Sequence, residues 1–218
     1  MSLLFTPIHL PSPRGGLMLP NRIVVAPMCQ YAASAGEPSD WHLMHWGNLL
    51  NSGAALFTIE ATAVVPEGRI TPACLGLWDD RTEAAMTSVL QRARALAPHT
   101  AVCIQLAHAG RKASSALPWS GAQLLPPKQG GWETYGPSAL PHLSDESPPT
   151  AMTRAHMDQV RDAFVAAARR ADRMGIDAIE LHGAHGYLLH EFVSPVSNQR
   201  TDEYGGSFEN RIRYPLEV

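Results

Sequence analysis

The sequence predicts an α/β fold of the (β/α)8-barrel kind, carrying about the first four β/α units. Three observations lead there. Short apolar, β-branched segments alternate with segments of helical periodicity, which implies parallel strands joined by right-handed crossovers. No strand runs into a Gly-x-Gly-x-x-Gly turn, so the dinucleotide-binding fingerprint of a doubly wound sheet is missing. Polar side chains gather just after each apolar segment, and barrel sites form at the C-terminal ends of strands.

The elements follow in order. Residues 23–28 (Ile-Val-Val-Ala-Pro-Met) read as a buried strand. Ser39 or Asp40 can cap a helix from about Trp41 to Leu50, closed by Asn51, Ser52 and Gly53. Residues 55–60 form a second strand. Asp80 with Glu83 resembles a capping box, opening a helix with Met86, Val89, Leu90, Ala93 and Leu96 on one face. Residues 101–106 are a third strand. A Gly-, Pro- and Ser-rich excursion fills about 110–150, and the alternation then resumes. Thr153 caps a helix with Met157, Val160, Phe164, Ala168, Ala171 and Met174 on one face, and Gly175 stops it. Residues 176–181 are the fourth strand, and another helix begins near Phe208. A closed barrel needs eight strands. Residues 1–218 therefore read as the N-terminal half of a barrel. Its two open edges and apolar inner face predict association with copies of itself or with a chain supplying the other half.

Composition sets the class. The 218 residues hold 17 Lys and Arg against 20 Asp and Glu, a net charge of −3, with 45 % hydrophobic residues. That excludes a disordered chain and argues against a nucleic-acid binder. No apolar run reaches membrane-spanning length. Three cysteines make no disulfide framework, and the first residues lack a signal-peptide pattern, so a reducing cytoplasm is expected.

The richest segment is Leu181-His182-Gly183-Ala184-His185-Gly186-Tyr187. Two imidazoles can donate hydrogen bonds to a carbonyl or nitro oxygen, and a phenol can give up a proton late in a reaction. A metal site using both histidines is a second reading, with Glu60 and Cys29 as further ligands from other strands. Histidines that merely satisfy loop backbone are a third. Cys29 directly follows the first strand and is either a small buried side chain or a group facing a cofactor. Gln105 shares a strand face with Cys103, where a buried amide needs partners such as neighbouring backbone or a planar heterocycle. His42 and His45 read as structural or solvent-facing. Arg111 and Lys112 read as solvated charges or as holders of an anionic group.

Together the motifs resemble the old yellow enzyme family of flavin-dependent ene-reductases, closest to its thermophilic-like branch with the xenobiotic reductases. The matching segments are Asn21-Arg22-Ile23, residues 26–31 (Ala-Pro-Met-Cys-Gln-Tyr), Glu60-Ala61-Thr62 running to Ile70, and residues 105–112 (Gln-Leu-Ala-His-Ala-Gly-Arg-Lys). They continue with residues 182–188, Ser194-Pro195, Asn198, residues 200–202, residues 204–207 and residues 209–211.

The resemblance implies non-covalent FMN over the C-terminal face of a barrel. It implies that Ala26, Pro27, Met28, Cys29, Ala61, Gln105 and His182 contact the flavin, with Gln105 on its pyrimidine edge. It implies that His182 and His185 bind the substrate's activating oxygen, that Tyr187 donates the proton, and that Tyr31 and Cys29 face the substrate. The implied reaction is ping-pong: NADPH, or NADH, reduces the flavin, and an alkene conjugated to a carbonyl or nitro group is reduced in turn. The arginine at the flavin's N1 edge and the groups holding the FMN phosphate are expected beyond the four strands placed here.

Overall fold

The computed structural model describes residues 2–12 and 15–218. An antiparallel hairpin opens the chain, with β1 (Ile8–Leu10) paired to β2 (Leu17–Leu19). Three-residue strands are too short to show a period-2 pattern, which hides this hairpin from pattern reading. The main sheet is then built from β3 (Val24–Val25), β4 (Leu56–Ala63), β5 (Ala101–Ala107) and, later in the chain, Ala178–Leu181. All neighbours are parallel, in that order.

The crossovers are helical. Helix α1 (Asp40–Leu50) starts at Ser39, whose N–H is accepted by His42 Nδ1 at 3.0 Å. Helix α2 (Asp80–Leu96) is capped by Asp79, one residue before the expected Asp80. Asp79 accepts the Thr82 N–H, and the Thr82 hydroxyl faces the Asp79 N–H in return. Glu83, the expected capping partner, instead meets Arg170 at 2.6 Å and Arg173 at 2.7 Å. Two guanidiniums outcompete one backbone N–H for that carboxylate.

Two short parallel strands, β6 (Tyr135–Gly136) and β7 (Thr150–Ala151), close the excursion. Helix α3 (Arg154–Arg173) has the expected Thr153 cap, and Gly175 follows at φ +74°. The last strand, β8 (Ala178–Leu181), begins two residues later than the sequence suggests. At Asp177 the carboxylate takes the Val102 N–H and an Arg94 guanidinium, so the strand pairing starts after it. The chain continues through α4 (Leu188–Val193), α5 (Phe208–Arg211) and α6 (Arg213–Glu217). Among the described residues, no helix is long and apolar enough to cross a membrane.

The sheet has two unlike faces. Phe57, Ile59, Val102, Ile104 and Leu106 pack against α2 and α3 in one core, with Trp46 and Leu50 of α1. Burial of these side chains supplies ~1.5–3 kcal/mol each. On the opposite face the lower rows, Leu56, Cys103 and Ala178, are covered by Leu19, Ile8 and Leu17 of the hairpin. The upper rows are polar, with Gln105 hydrogen-bonded to Glu180. The expected exposed apolar inner face is thus covered below and polar above. In the main sheet, apolar exposure falls instead on the two outer strands, at Val24 of β3 and at Ile179 and Leu181 of β8, each over 40 % exposed.

Candidate active site

The C-terminal ends of the parallel strands surround a pocket of about 500 Å³. The segment after β3 contributes Ala26, Pro27, Cys29 and Tyr31; β4 contributes Ala61 and β5 contributes Gln105. The end of β8 and its loop add Glu180, His182, His185 and Tyr187. All the sequence-derived site residues converge here except Met28, whose side chain is exposed and outside the lining. Ile70 and Glu180 also line it, beyond the site residues expected from the sequence. Glu180 lies two residues before His182 on an alternating strand, so period 2 would have placed it on that face.

The backbone is strained where the site needs it. Tyr31 (φ +51°) and His185 (φ +57°) sit in the left-handed region that non-glycine residues seldom occupy. The β8 loop is held by its neighbours: His182 N–H donates to Leu106 O, and Leu188 N–H donates to His108 O. Lys112 Nζ donates to His185 O at 2.9 Å and lies 5.3 Å from the centre of the Tyr187 ring. On the other side, one buried carboxylate organises the segment after β3. Glu60 Oε2 accepts the Gln30 N–H at 2.8 Å, and Oε1 faces His42 Nε2 at 3.4 Å. Because His42 Nδ1 accepts the Ser39 N–H, its proton stands on Nε2, facing Glu60. His42 is therefore structural, and Glu60 is engaged away from the two site histidines.

The protonation states are set by burial. His182 Nδ1 accepts the Ala184 N–H at 3.3 Å, which leaves the proton on Nε2, 3.3 Å from His185 Nδ1. Burial first, then His185, lowers the His182 pKa, so this imidazole is neutral at pH 7. His182 then presents an Nε2–H donor. The rings of His182 and Tyr187 are 4.9 Å apart, and those of His182 and His185 are 5.0 Å apart. Burial raises the Tyr187 phenol well above its ordinary range, and pushes Tyr31 up to about 12. Burial also raises the Cys29 thiol, with Cys74 and Glu60 adding to it. Cys29 is a protonated thiol facing the pocket, not a thiolate nucleophile.

The two histidines do come together, as a metal site would require. Among the described residues, however, no three His, Cys, Asp or Glu side chains converge around a cation. A planar heterocycle fits better. Ala26, Pro27 and Ala61 give small apolar walls, and Gln105 supplies an amide whose Nε2 donates to Glu180 Oε1. That bond uses one of the amide's two N–H groups and leaves the other, with the acceptor Oε1, for a ligand. An isoalloxazine offers a matching N–H.

A family model described as the NADH:flavin oxidoreductase / NADH oxidase family matches residues 3–218. The chain belongs to this family. An NADH:flavin oxidoreductase of Gibberella zeae is 47 % identical over 98 % of the chain and 51 % of its own length. An NADPH dehydrogenase of Bacillus licheniformis is 42 % identical over 99 % of the chain and 58 % of its own length. Among solved structures, morphinone reductase superposes with a TM-score of 0.80 at 31 % identity, over 98 % of the chain and 56 % of its own. An old yellow enzyme from Pichia sp. AKU4542 superposes at 0.84 and 28 % identity, over 99 % and 55 %. Membership in this flavoprotein family bears out the old yellow enzyme resemblance and the expectation of a flavin cofactor. The chain spans about half the length of the curated relatives it matches.

Proposed function

We propose that this site reduces C=C bonds activated by a carbonyl or nitro group, using FMN and NAD(P)H. The observation that carries the reading is the convergence of two imidazoles, that of His182 held neutral by burial, and one protonated phenol on a pocket whose Gln105 wall suits a flavin ring. Ala26, Pro27, Cys29, Ala61, Gln105 and His182 would hold the isoalloxazine, and Met28 would meet it from outside the pocket lining. When bound, FMN supplies two-electron chemistry, accepting hydride from the nicotinamide and giving it to the alkene.

The chain's own residues do the rest. His182 and His185 donate to the substrate oxygen, which draws electron density from the β-carbon. A substrate oxygen that accepts the His182 Nε2–H replaces its 3.3 Å contact with His185 Nδ1, which frees the His185 ring to donate as well. Tyr187 keeps its proton until negative charge develops at the α-carbon and then delivers it. Tyr31 and Cys29 bound the substrate on the opposite side.

The chain's four parallel strands would be the first four units of a (β/α)8 barrel. The exposed Ile179 and Leu181 on the β8 edge mark where further strands would pair, whether from longer sequence or from a second chain.

The test is to load the purified protein with FMN, record its visible spectrum, and follow NADPH oxidation with 2-cyclohexenone. A perturbed flavin band and enone-dependent oxidation are expected. Protein that leaves the FMN spectrum unchanged, or oxidises NADPH at the same rate with and without the enone, overturns the proposal.

A further inference from the structure

Next to the main pocket lies a second cavity of about 360 Å³, sharing Tyr31, Ile70 and Tyr187 with it. Its outer wall is the excursion, which the proposed reaction does not otherwise use. Three basic side chains line it: Arg111, Lys112 and His142. The one acidic lining residue, Glu146, is turned to backbone, accepting the N–H groups of Leu143 at 3.1 Å and Leu124 at 3.4 Å. The rest of the wall includes Ala116, Pro118, Ala122 and Leu124, which offer no competing charge.

Arg111 and Lys112 are held in place by hydrogen bonds. Arg111 donates to the carbonyls of Leu140 and Pro141. Lys112 spends one N–H on His185 O and has others for a ligand. Burial first, then Lys112 and Arg111, lowers the His142 pKa, which places the three groups within each other's field.

We propose that this annex is a subsite for an anionic group, a carboxylate or phosphate, at the far end of a substrate whose activated alkene lies in the main pocket. The inference rests on that reading of the main pocket. Tyr31 and Tyr187 form the passage between the two, and Lys112 is the contact that reports on both. The phosphates of the reduced nicotinamide carry the same chemistry, so the experiment separates the two sources.

FMN-loaded protein without reductant is titrated with cinnamaldehyde and with 4-carboxycinnamaldehyde, followed by tryptophan fluorescence. The carboxylate is expected to bind about tenfold tighter at low salt, a factor that shrinks as salt screens it. Lys112→Gln removes most of that preference. His142→Glu, at an exposed position, removes it by putting negative charge in the annex without touching the His185 loop. Equal affinity for the two aldehydes, or a preference that both variants retain, overturns the annex and leaves the main pocket standing. No saturable binding of either aldehyde overturns the main-pocket reading itself. A tenfold loss of NADPH affinity in Lys112→Gln, with the carboxylate preference intact, overturns the assignment to the substrate.

Discussion

Two loops in this protein begin alike and end differently. After β5 the chain reads His108-Ala109-Gly110, and after β8 it reads His182-Gly183-Ala184. In both, the histidine Nδ1 accepts the N–H two residues on, at 3.0 Å and 3.3 Å, so both carry the proton on Nε2. The β5 loop then runs under the excursion. His108 is fully buried, its pKa is driven down to about 3, and its Nε2 has no partner. The β8 loop opens to the pocket, and His182 Nε2 meets His185 instead. One local device thus gives a structural histidine where no pocket adjoins it and a donor where one does. The neighbouring space, not the motif, decides the role.

The comparison can be broken most sharply at Tyr187. Tyr187→Phe keeps the ring against His182 and removes the proton, so turnover of an activated alkene falls about 10²–10⁴-fold. Flavin binding stays within about twofold, and a matched loss of both in the same assay would show that Tyr187 serves only the fold.

Next come the glycines. Gly110 sits at φ +61°, and a Cβ there would lie 2.3 Å from Glu191 Oε1. Gly183 has open space around its missing Cβ. Gly110→Ala is expected to cost about 2–4 kcal/mol in denaturant unfolding. Gly183→Ala should stay within ~0.5 kcal/mol. Equal costs would mean that the two loops are equally constrained.

The smallest effect is a pH slope. Glu191 is buried beneath Gly110 and Gly136, and burial raises its pKa from 4.5 to about 8. Its folded form binds protons that the unfolded form releases, so stability falls as pH rises from about 4.5 to about 8. His108 works the other way between about 3 and 6.5, because its unfolded form takes up the proton first. Above pH 6.5 the opposing effect of the histidines fades and that of Glu191 persists to about 8, with a slope of up to ~1.4 kcal/mol per pH unit. Melting curves of Glu191→Gln across that window should be flatter than those of the parent, and parallel curves would remove Glu191 from the account.

Much of this was legible in the sequence, for physical reasons. Helix α3 is long enough for its apolar stripe, Thr153 cap and Gly175 stop to agree. His182, His185, Tyr187 and Gln105 were legible because strand ends are where barrel chemistry collects. Helix α4, at six residues, is too short to show a period. The start of α2 was misplaced by one residue because Asp79 and Asp80 can both cap, and only tertiary contacts with Arg170 and Arg173 decide between them. The Lys112 contact with His185 joins loops 73 residues apart, and no local pattern encodes it.

Glu60 has a further consequence. One carboxylate ties the N-terminal turn of α1, strand β4 and the segment bearing Cys29 and Tyr31. These three pieces are therefore one unit of inheritance. A recombinant that imports the Cys29–Tyr31 segment alone would keep the letters of the site and lose their aim, so substitutions in this corner of the molecule must travel as a set.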